Sequence, residues 1–258
     1  MGTIALLTDF GERDGFVGMM KGAILKVAPQ AQIIDMTHTI SSFDIKGAAF
    51  LLQKSVKHYS PATVFVTVVD PGVGTERKII AASAGSYFFV APDNGILSYA
   101  LSDFPQREVV SVENRDYFAD SISYTFQGRD IMAPVAAHIS QGLSLCDLGP
   151  PLENYQRLPL LKLLKRDRTL IGEIVYVDKF GNMISNISCE ELPSHRQLTE
   201  LSVRVGEHEG LLFVNSYAQG RGLAATVSGL GTVEVFVYQD SAAAQFAKPI
   251  GTVITVEG

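Results

Sequence analysis

The 258-residue chain lacks tryptophan and contains only two cysteines. Cys146 and Cys189 lie far apart in the sequence and show none of the spacings of metal-binding cysteines, so we expect reduced thiols and a cytoplasmic protein. No apolar run approaches the roughly 20 residues that a membrane-spanning helix needs, and no signal-type segment precedes the first strand-like run. These absences predict that the protein has no membrane partner.

An excess of basic residues is also absent, since the formal net charge is −6 at pH 7. Surfaces that bind nucleic acids or anionic membranes normally carry a basic patch, so we expect neither as a partner. Hydrophobic residues make up 47% of the chain and charged residues 19%, which is typical of a folded globular protein. The length is sufficient for two domains.

The common catalytic and cofactor motifs are missing as well. Residues 72–75 (Gly-Val-Gly-Thr) resemble a phosphate loop, but they lack the Gly-Lys-Ser/Thr ending of a P-loop and the third glycine of a dinucleotide site. There is no Gly-x-Ser-x-Gly, His-Glu-x-x-His or Cys-x-x-Cys pattern. The sequence therefore predicts neither a metal site nor a cofactor. The five histidines are dispersed: His38, His58, His138, His195 and His208.

Residues 1–151 show the strand and helix alternation of an α/β domain. Near-continuous apolar strands predict a mostly parallel sheet with helices on its faces. Ser41 or Ser42 is available to cap the second helix. The predicted strands are residues 3–8, 32–36, 63–69, 78–84 and 87–90, and the predicted helices are residues 16–27, 43–58 and 130–141.

The pattern changes in the second part of the chain. Residues 152–169 are polar and basic and are interpreted as a linker. Residues 170–258 combine short strands with glycine-rich turns, which predicts a smaller domain built as a β-barrel or sandwich. Its predicted strands are residues 170–177, 183–187, 201–205, 211–214, 232–237 and 252–256, with one helix at 241–246.

Several predicted strands of the first domain end on a carboxylate. Asp9, Asp70 and Asp93 follow apolar runs directly, and Arg77 stands a few residues after Asp70. Ligands of α/β sheets usually bind at the carboxyl ends of the strands, so these side chains could line one cleft. Taken alone, each of them is better explained as a turn residue. Together they favour a polar ligand.

Five segments, in this order and spacing, resemble one family. They are similar to segments of the S-adenosyl-L-methionine (SAM) hydroxide adenosyltransferases, or SAM hydrolases, which are related to the SAM-dependent fluorinase and chlorinase. The resemblance covers nearly the whole chain and is weak after about residue 216. The segments are TDFG (8–11), VDPGVGTER (69–77), APDNG (91–95), FQGRDIMAP (126–134) and DKFGN (178–182).

The resemblance implies a nucleophilic substitution in which water attacks ribose C5′ of SAM and gives adenosine and L-methionine. Asp70 and Arg77 occupy positions that, in the hydrolases, bind the attacking water together with a histidine. Gln127 stands at the position of that histidine. An amide can orient water but cannot take up a proton, so any step that needs an imidazole is placed in doubt.

The resemblance also implies substrate contacts. A carboxylate can accept two hydrogen bonds from the ribose diol, and an aromatic face suits the sulfonium cation. The implied contacts are Asp9 to the ribose hydroxyls, Phe43 and Phe126 to the pocket walls, Asp178 to the methionine ammonium, and Phe180 and Asn182 to adenine.

Three functions stay open at this point. The family resemblance implies a homotrimeric SAM hydrolase with sites at the subunit interfaces and no cofactor. A SAM-dependent halogenase is the first alternative. Halogenases, however, carry an aromatic hydroxyl residue at the position of Asp70, and the negative charge of Asp70 would repel a halide. A catalytically weak SAM- or adenosine-binding protein is the second, because Gln127 does not titrate.

Overall fold

The computed structural model describes residues 2–193 and 197–258, so His195 lies outside the described residues. The chain divides into two compact units, Met1–Pro159 and Leu160–Gly258. The first unit has a hydrophobic core on each face of its sheet, and the second unit has its own core.

Within residues 2–159, six strands form one sheet in the order β2-β1-β3-β5-β4-β6. The pairs β1–β2, β1–β3 and β3–β5 are parallel, whereas β4 runs antiparallel to both β5 and β6. The sheet is therefore mixed, and the prediction of a mostly parallel sheet was wrong. The strands are β1 (Thr3–Thr8), β2 (Gln32–Thr37), β3 (Val64–Val68), β4 (Ile79–Ala84), β5 (Tyr87–Pro92) and β6 (Arg107–Ser111).

The turn between β4 and β5 explains the change of direction. Ala84 pairs with Tyr87, so only Gly85 and Ser86 connect the two strands. A two-residue connection can join only antiparallel neighbours, because a parallel crossover needs a dozen or more residues. Gly85 has φ of 57°, the left-handed conformation that such tight hairpin turns require.

Helices cover both faces of this sheet. The side chains of β1 alternate between the two cores: Ile4 and Leu6 pack with α1 and α4, whereas Ala5 and Leu7 pack with α2 and α3. This alternation is the two-residue period of a strand buried on both faces. The helices are α1 (Phe16–Val27), α2 (Ile45–Val56), α3 (Ser98–Ser102) and α4 (Ala133–Ser140).

Two details of the helices differ from the prediction. Asp44, not Ser41 or Ser42, caps α2, because its carboxylate accepts the backbone N–H of Gly47 at 2.8 Å. The helix predicted at residues 130–141 begins as a π-helical turn, Gly128–Met132, which runs directly into α4.

Within residues 160–193 and 197–258, seven strands close into a barrel, because β14 pairs with both β10 and β8. The predicted barrel-like domain is confirmed. β7 (Leu164–Arg166) pairs with β8 and falls in the stretch interpreted as a linker. The barrel strands are β8 (Thr169–Val177), β9 (Met183–Ser188), β10 (Ser202–Val205), β11 (His208–Phe213), β12 (Leu223–Val227), β13 (Thr232–Val237) and β14 (Val253–Glu257).

The helix predicted at residues 241–246 reduces to one 3-10 turn, Ala243–Gln245. In the part of the chain that the structure describes, no helix has the length and apolar character to cross a membrane.

Candidate active site

The first unit contains a cavity of about 300 Å³ at the carboxyl ends of β1 and β3. Five of the side chains singled out in the sequence line it: Asp9, Phe43, Asp70, Phe126 and Gln127. They come from four separate segments of the chain, so the fold brings together residues as distant in sequence as Asp9 and Gln127. We refer to this cavity as the N-terminal pocket.

Asp70, Arg77 and Gln127 form one hydrogen-bonded group at this pocket. The Arg77 guanidinium donates from Nε to Asp70 Oδ1 at 3.0 Å and from Nη2 to Asp70 Oδ2 at 2.5 Å. Nη2 also donates to Gln127 Oε1 at 2.5 Å. The Arg77 and Asp70 side chains are only 11% and 5% exposed, so the ion pair is largely shielded from water.

The orientation of the Gln127 amide follows from its partner. A guanidinium has donors only, so Gln127 must present its carbonyl oxygen to Arg77. The amide nitrogen then keeps two N–H donors, and Gln127 lines the pocket. The group therefore combines a carboxylate acceptor with amide and guanidinium donors, which is what a bound water molecule needs.

A glycine-rich turn folds Arg77 back onto Asp70. The backbone N–H and the side-chain hydroxyl of Thr75 both donate to the Gly72 carbonyl, at 3.1 and 2.7 Å. Gly74 has φ of 80°, and a Cβ there would come within 2.7 Å of the Tyr124 carbonyl oxygen. Gly72 and Gly74 thus allow the tight turn that brings Arg77 into contact with Asp70.

Gln127 is placed by the loop and π-helical turn that follow Tyr124. Asp130, which is buried, accepts the backbone N–H of Ser123 at 2.8 Å and two N–H groups of Arg129 at 2.6 and 2.9 Å. Burial raises the pKa of Asp130, but the hydrogen bonds from Arg129 and Ser123 and the Arg129 charge outweigh it and leave that pKa below its ordinary value. Asp130 therefore acts as an ionised anchor of the loop.

Aromatic rings form one wall of the N-terminal pocket. Phe10 and Phe16 both make edge-to-face contacts with Phe126, at ring-centroid distances of 5.8 and 5.4 Å. Sequence reasoning missed both rings, although Phe10 lies inside the TDFG segment and Phe16 opens α1. The Arg129 guanidinium lies 4.8 Å from the centre of the Phe126 ring.

Asp9 and Phe43 are linked directly. The Phe43 N–H donates to Asp9 Oδ2 at 2.9 Å, and Phe43 has φ of 68°, an unusual conformation for a bulky residue. Its ring is 69% exposed. The carboxylate of Asp9 thus fixes the segment that presents the aromatic ring, and Oδ1 is left with its lone pairs for a ligand.

The second unit contains a larger cavity, of about 590 Å³, which we call the C-terminal pocket. Asp178, Phe180 and Asn182 line it, as does Tyr217. Asp178 Oδ1 accepts the backbone N–H groups of Phe180 and Asn182 at 2.9 Å, and its Oδ2 accepts Asn182 Nδ2 at 3.0 Å. Gly181 has φ of 83°, and a Cβ there would collide with the Ser241 side chain. These contacts hold the loop in one conformation, in which the Phe180 ring is 67% exposed.

Beside this pocket lies a buried carboxylate that the sequence analysis missed. Glu234 is 1% exposed, and its Oε1 accepts the Tyr217 hydroxyl at 2.5 Å. Burial raises the pKa of Glu234, and the Asp178 charge adds to this effect, although the Tyr217 hydrogen bond opposes it. The signal in the sequence is a single acidic residue among the apolar residues of strand β13.

Among residues 2–193 and 197–258, no cluster of three or more His, Cys, Asp or Glu side chains could hold a metal ion.

Two family models match this chain. The N-terminal domain of the SAM hydroxide adenosyltransferases matches residues 4–149, and the C-terminal domain matches residues 172–255. The chain belongs to the SAM hydroxide adenosyltransferase family. The resemblance inferred from the five sequence segments is therefore confirmed.

Individual relatives agree with the family models. An (R)-S-adenosyl-L-methionine hydrolase of Salinispora tropica is 40% identical over 183 residues, which cover 70% of each chain. The (R)-S-adenosyl-L-methionine hydrolase of Methanocaldococcus jannaschii is 31% identical over 251 residues, or 93% of this chain and 89% of the other. A fluorinase of Nocardia brasiliensis is more distant, at 26% identity over 216 residues, which cover 73% of this chain and 72% of the other.

The fold has a full-length counterpart among solved structures. The crystal structure of an uncharacterized conserved protein from Thermotoga maritima superposes with a TM-score of 0.91 and 34% sequence identity, covering 99% of this chain and 100% of the other. The fold of that protein is therefore shared over nearly the whole chain.

Proposed function

We propose that this protein hydrolyses SAM: water attacks ribose C5′ and displaces methionine, giving adenosine and L-methionine. The observation that carries the proposal is the Asp70–Arg77–Gln127 group in the N-terminal pocket of a chain whose relatives at 31–40% identity are named (R)-S-adenosyl-L-methionine hydrolases. The names of those relatives favour the R configuration at sulfur as the preferred substrate.

In this proposal the water is bound by the three side chains. Asp70 accepts a hydrogen bond from the water, and the Gln127 amide nitrogen donates one to its oxygen. Arg77 holds the Asp70 carboxylate in place and stabilises negative charge that develops on the attacking oxygen. Holding the nucleophile in line with the departing sulfur supplies much of the rate. Asp70 is the acceptor for the water proton, since Gln127 cannot take one up.

The substrate contacts are part of the same proposal. Asp9 accepts the ribose hydroxyls, while Phe43 and Phe126 pack against the ribose and the sulfonium. In the C-terminal pocket, Asp178 accepts the methionine ammonium, and the exposed ring of Phe180 stacks on adenine beside Asn182. The Asp178 carboxylate keeps lone pairs beyond its three loop hydrogen bonds, and Asn182 keeps its side-chain carbonyl.

No cofactor is included in the proposed reaction. The group that departs from C5′ is a neutral thioether, so the reaction needs neither a general acid nor a metal ion to stabilise it. The electrophile is already activated by the positive charge on sulfur.

The experiment is an assay with each sulfonium epimer of SAM, in which chromatography follows adenosine and methionine. We expect both products in equal amounts, with the R epimer consumed faster. Absence of adenosine above a buffer control, in a protein that binds adenosine by calorimetry, would instead favour the weak binding protein.

A halogenase is the second candidate, because fluorinases are among the relatives. It predicts a 5′-halo-5′-deoxyadenosine that forms only with added halide. We expect adenosine to remain the main product at a chloride concentration of about 0.15 M, the physiological ionic strength. The reason is that the Asp70 carboxylate repels anions from the site of attack.

We further propose a homotrimer in the cytoplasm. Support for self-association comes from the exposed aromatic rings of Phe43 and Phe180 at the two pockets. Support for the compartment comes from Cys146 and Cys189, both free and exposed. Light scattering on the purified protein and subcellular fractionation test the two statements; a monomer would refute the first and a membrane or exported fraction the second.

A further inference from the structure

A chain of polar side chains runs behind the Asp9 loop, and no step of the proposed reaction uses it. At its centre is His38, which is 4% exposed and follows β2 directly. Its Nδ1 lies 2.9 Å from Thr8 Oγ1, and its Nε2 lies 3.0 Å from Asp35 Oδ1. A buried, fully engaged imidazole beside a candidate binding loop calls for an explanation.

The direction of these hydrogen bonds follows from chemistry. Burial raises the pKa of Asp35, but the hydrogen bonds from His38 and Lys21 and the nearby charges leave it below its ordinary value, so the carboxylate is ionised at neutral pH. An ionised carboxylate only accepts, and His38 Nε2 therefore carries a proton. Lys21 Nζ holds the other carboxylate oxygen at 2.6 Å. The imidazole is consequently held by Asp35, which Lys21 holds in turn.

The other side of His38 holds the loop that carries Asp9. Thr8 Oγ1, which contacts His38 Nδ1, accepts the backbone N–H of Phe10 at 3.2 Å. The His38 carbonyl accepts the backbone N–H of Gly11 at 2.7 Å. The ring and the main chain of His38 therefore hold the residues on both sides of Asp9, and Asp9 in turn accepts the Phe43 N–H.

We propose that His38 is a positioning residue for ribose recognition: by anchoring residues 8–11, it sets the Asp9 carboxylate at the mouth of the N-terminal pocket. His38 touches no atom of the ligand in this scheme. The inference rests on the proposed contact between Asp9 and the ribose hydroxyls, and its consequence is that loss of the imidazole weakens diol recognition selectively.

Two measurements on the full-length protein test it. The first is amide hydrogen exchange in the segment 8–11, which needs no ligand. The second is the ratio of dissociation constants for 2′,3′-dideoxyadenosine and adenosine, which reports contacts to the two hydroxyls. The variants are His38→Ala and His38→Asn, with Asp9→Asn as a reference and His58→Ala, at an exposed histidine, as a matched control.

In the wild type we expect adenosine to bind at least about tenfold tighter than its dideoxy analogue, because hydrogen bonds to a charged group contribute that much. His38→Ala should speed exchange at Phe10, whose N–H is held by the Thr8 hydroxyl that contacts the imidazole, and should lower the ratio to about that of Asp9→Asn. Exchange at Gly11 should change less, because the His38 carbonyl that accepts its N–H is kept. His38→Asn places an amide near the position of Nδ1 and should restore part of the ratio, which keeps the test valid if the alanine variant fails to fold. His58→Ala should change neither readout.

Unchanged exchange in the His38 variants would overturn the proposal. Faster exchange with an unchanged ratio would reduce His38 to a purely structural role and also overturn it. A wild-type ratio near one would refute the contact between Asp9 and ribose, which is a failure of the proposed function; the exchange measurement then decides separately whether His38 anchors the loop.

Discussion

Asp70→Asn isolates the charge of the candidate water acceptor from its shape. Asparagine has nearly the same volume as aspartate, but its amide nitrogen cannot accept a hydrogen bond from water or from Arg77. We expect kcat for adenosine formation to fall about 10²–10⁴-fold, the usual contribution of a positioned proton acceptor. The dissociation constant for adenosine should change little, because no ribose or adenine contact is assigned to Asp70.

The stability change can be worked out from the same contacts. Removing one partner of a buried ion pair costs about 3–5 kcal/mol, but here Gln127 Oε1 still accepts from Arg77 Nη2, and the asparagine oxygen can still accept from Nε. The cost should therefore be nearer that of one unmade buried hydrogen bond, about 2 kcal/mol. For a unit of this size that corresponds to a fall in Tm of about 4–8 °C.

The control is Glu209→Gln, which removes a carboxylate from the exposed pair between Arg204 and Glu209, whose side chains are 50% and 73% exposed. This variant should keep wild-type kcat and change stability by less than about 1 kcal/mol. An Asp70→Asn protein that is folded at the assay temperature and turns over SAM within threefold (roughly 0.6 kcal/mol) of the wild-type rate would refute the assignment of Asp70.

Two further predictions concern protonation. Gln127→His places a titratable base beside Arg77, so we expect a faster enzyme. Its rate should rise with pH through about 6.5 as the imidazole loses its proton. The wild-type rate should lack this rise, and identical pH–rate profiles of the two proteins would contradict the reasoning. The pKa of Glu234 is raised in the native state, chiefly by burial, so the native state binds more protons than the unfolded state. The free energy of unfolding therefore falls as the pH rises from the ordinary glutamate pKa through the raised pKa. In urea unfolding at a series of pH values, Glu234→Gln should remove this fall and still accept the Tyr217 hydroxyl; a wild-type pH dependence retained in the variant would exclude Glu234 as its source.

Local patterns predicted much of the first unit. The bounds of β1 and α1 agree with the predicted residues 3–8 and 16–27, because a buried apolar run marks the strand and the polar residues 9–14 separate it from the helix. The prediction of a mostly parallel sheet was wrong at strand β4, which runs antiparallel to its neighbours. The two residues between β4 and β5 already required a hairpin. The short elements α3 and β6 were missed, since their sequences carry little periodicity.

Five of the side chains named from the sequence line one pocket, but the hydrogen bonds between them were not predictable. Polar residues after apolar strands pointed to Asp9 and Asp70, and the family resemblance added Gln127. That Arg77 bridges Asp70 and Gln127 depends on a glycine turn and a π-helical turn distant in sequence, which no local pattern reveals. Glu234 and His38 were overlooked as candidates because a buried polar side chain looks the same in sequence whether it supports a site or a core.

The left-handed backbone of Phe43 has a consequence for binding thermodynamics. An aromatic residue in this conformation stores about 1–3 kcal/mol of strain, which the hydrogen bond to Asp9 helps to offset. The conformation of the segment is thus held by a contact within the protein itself. For the proposed contact between the Phe43 ring and the ribose, association then requires less ordering of the loop, which favours affinity.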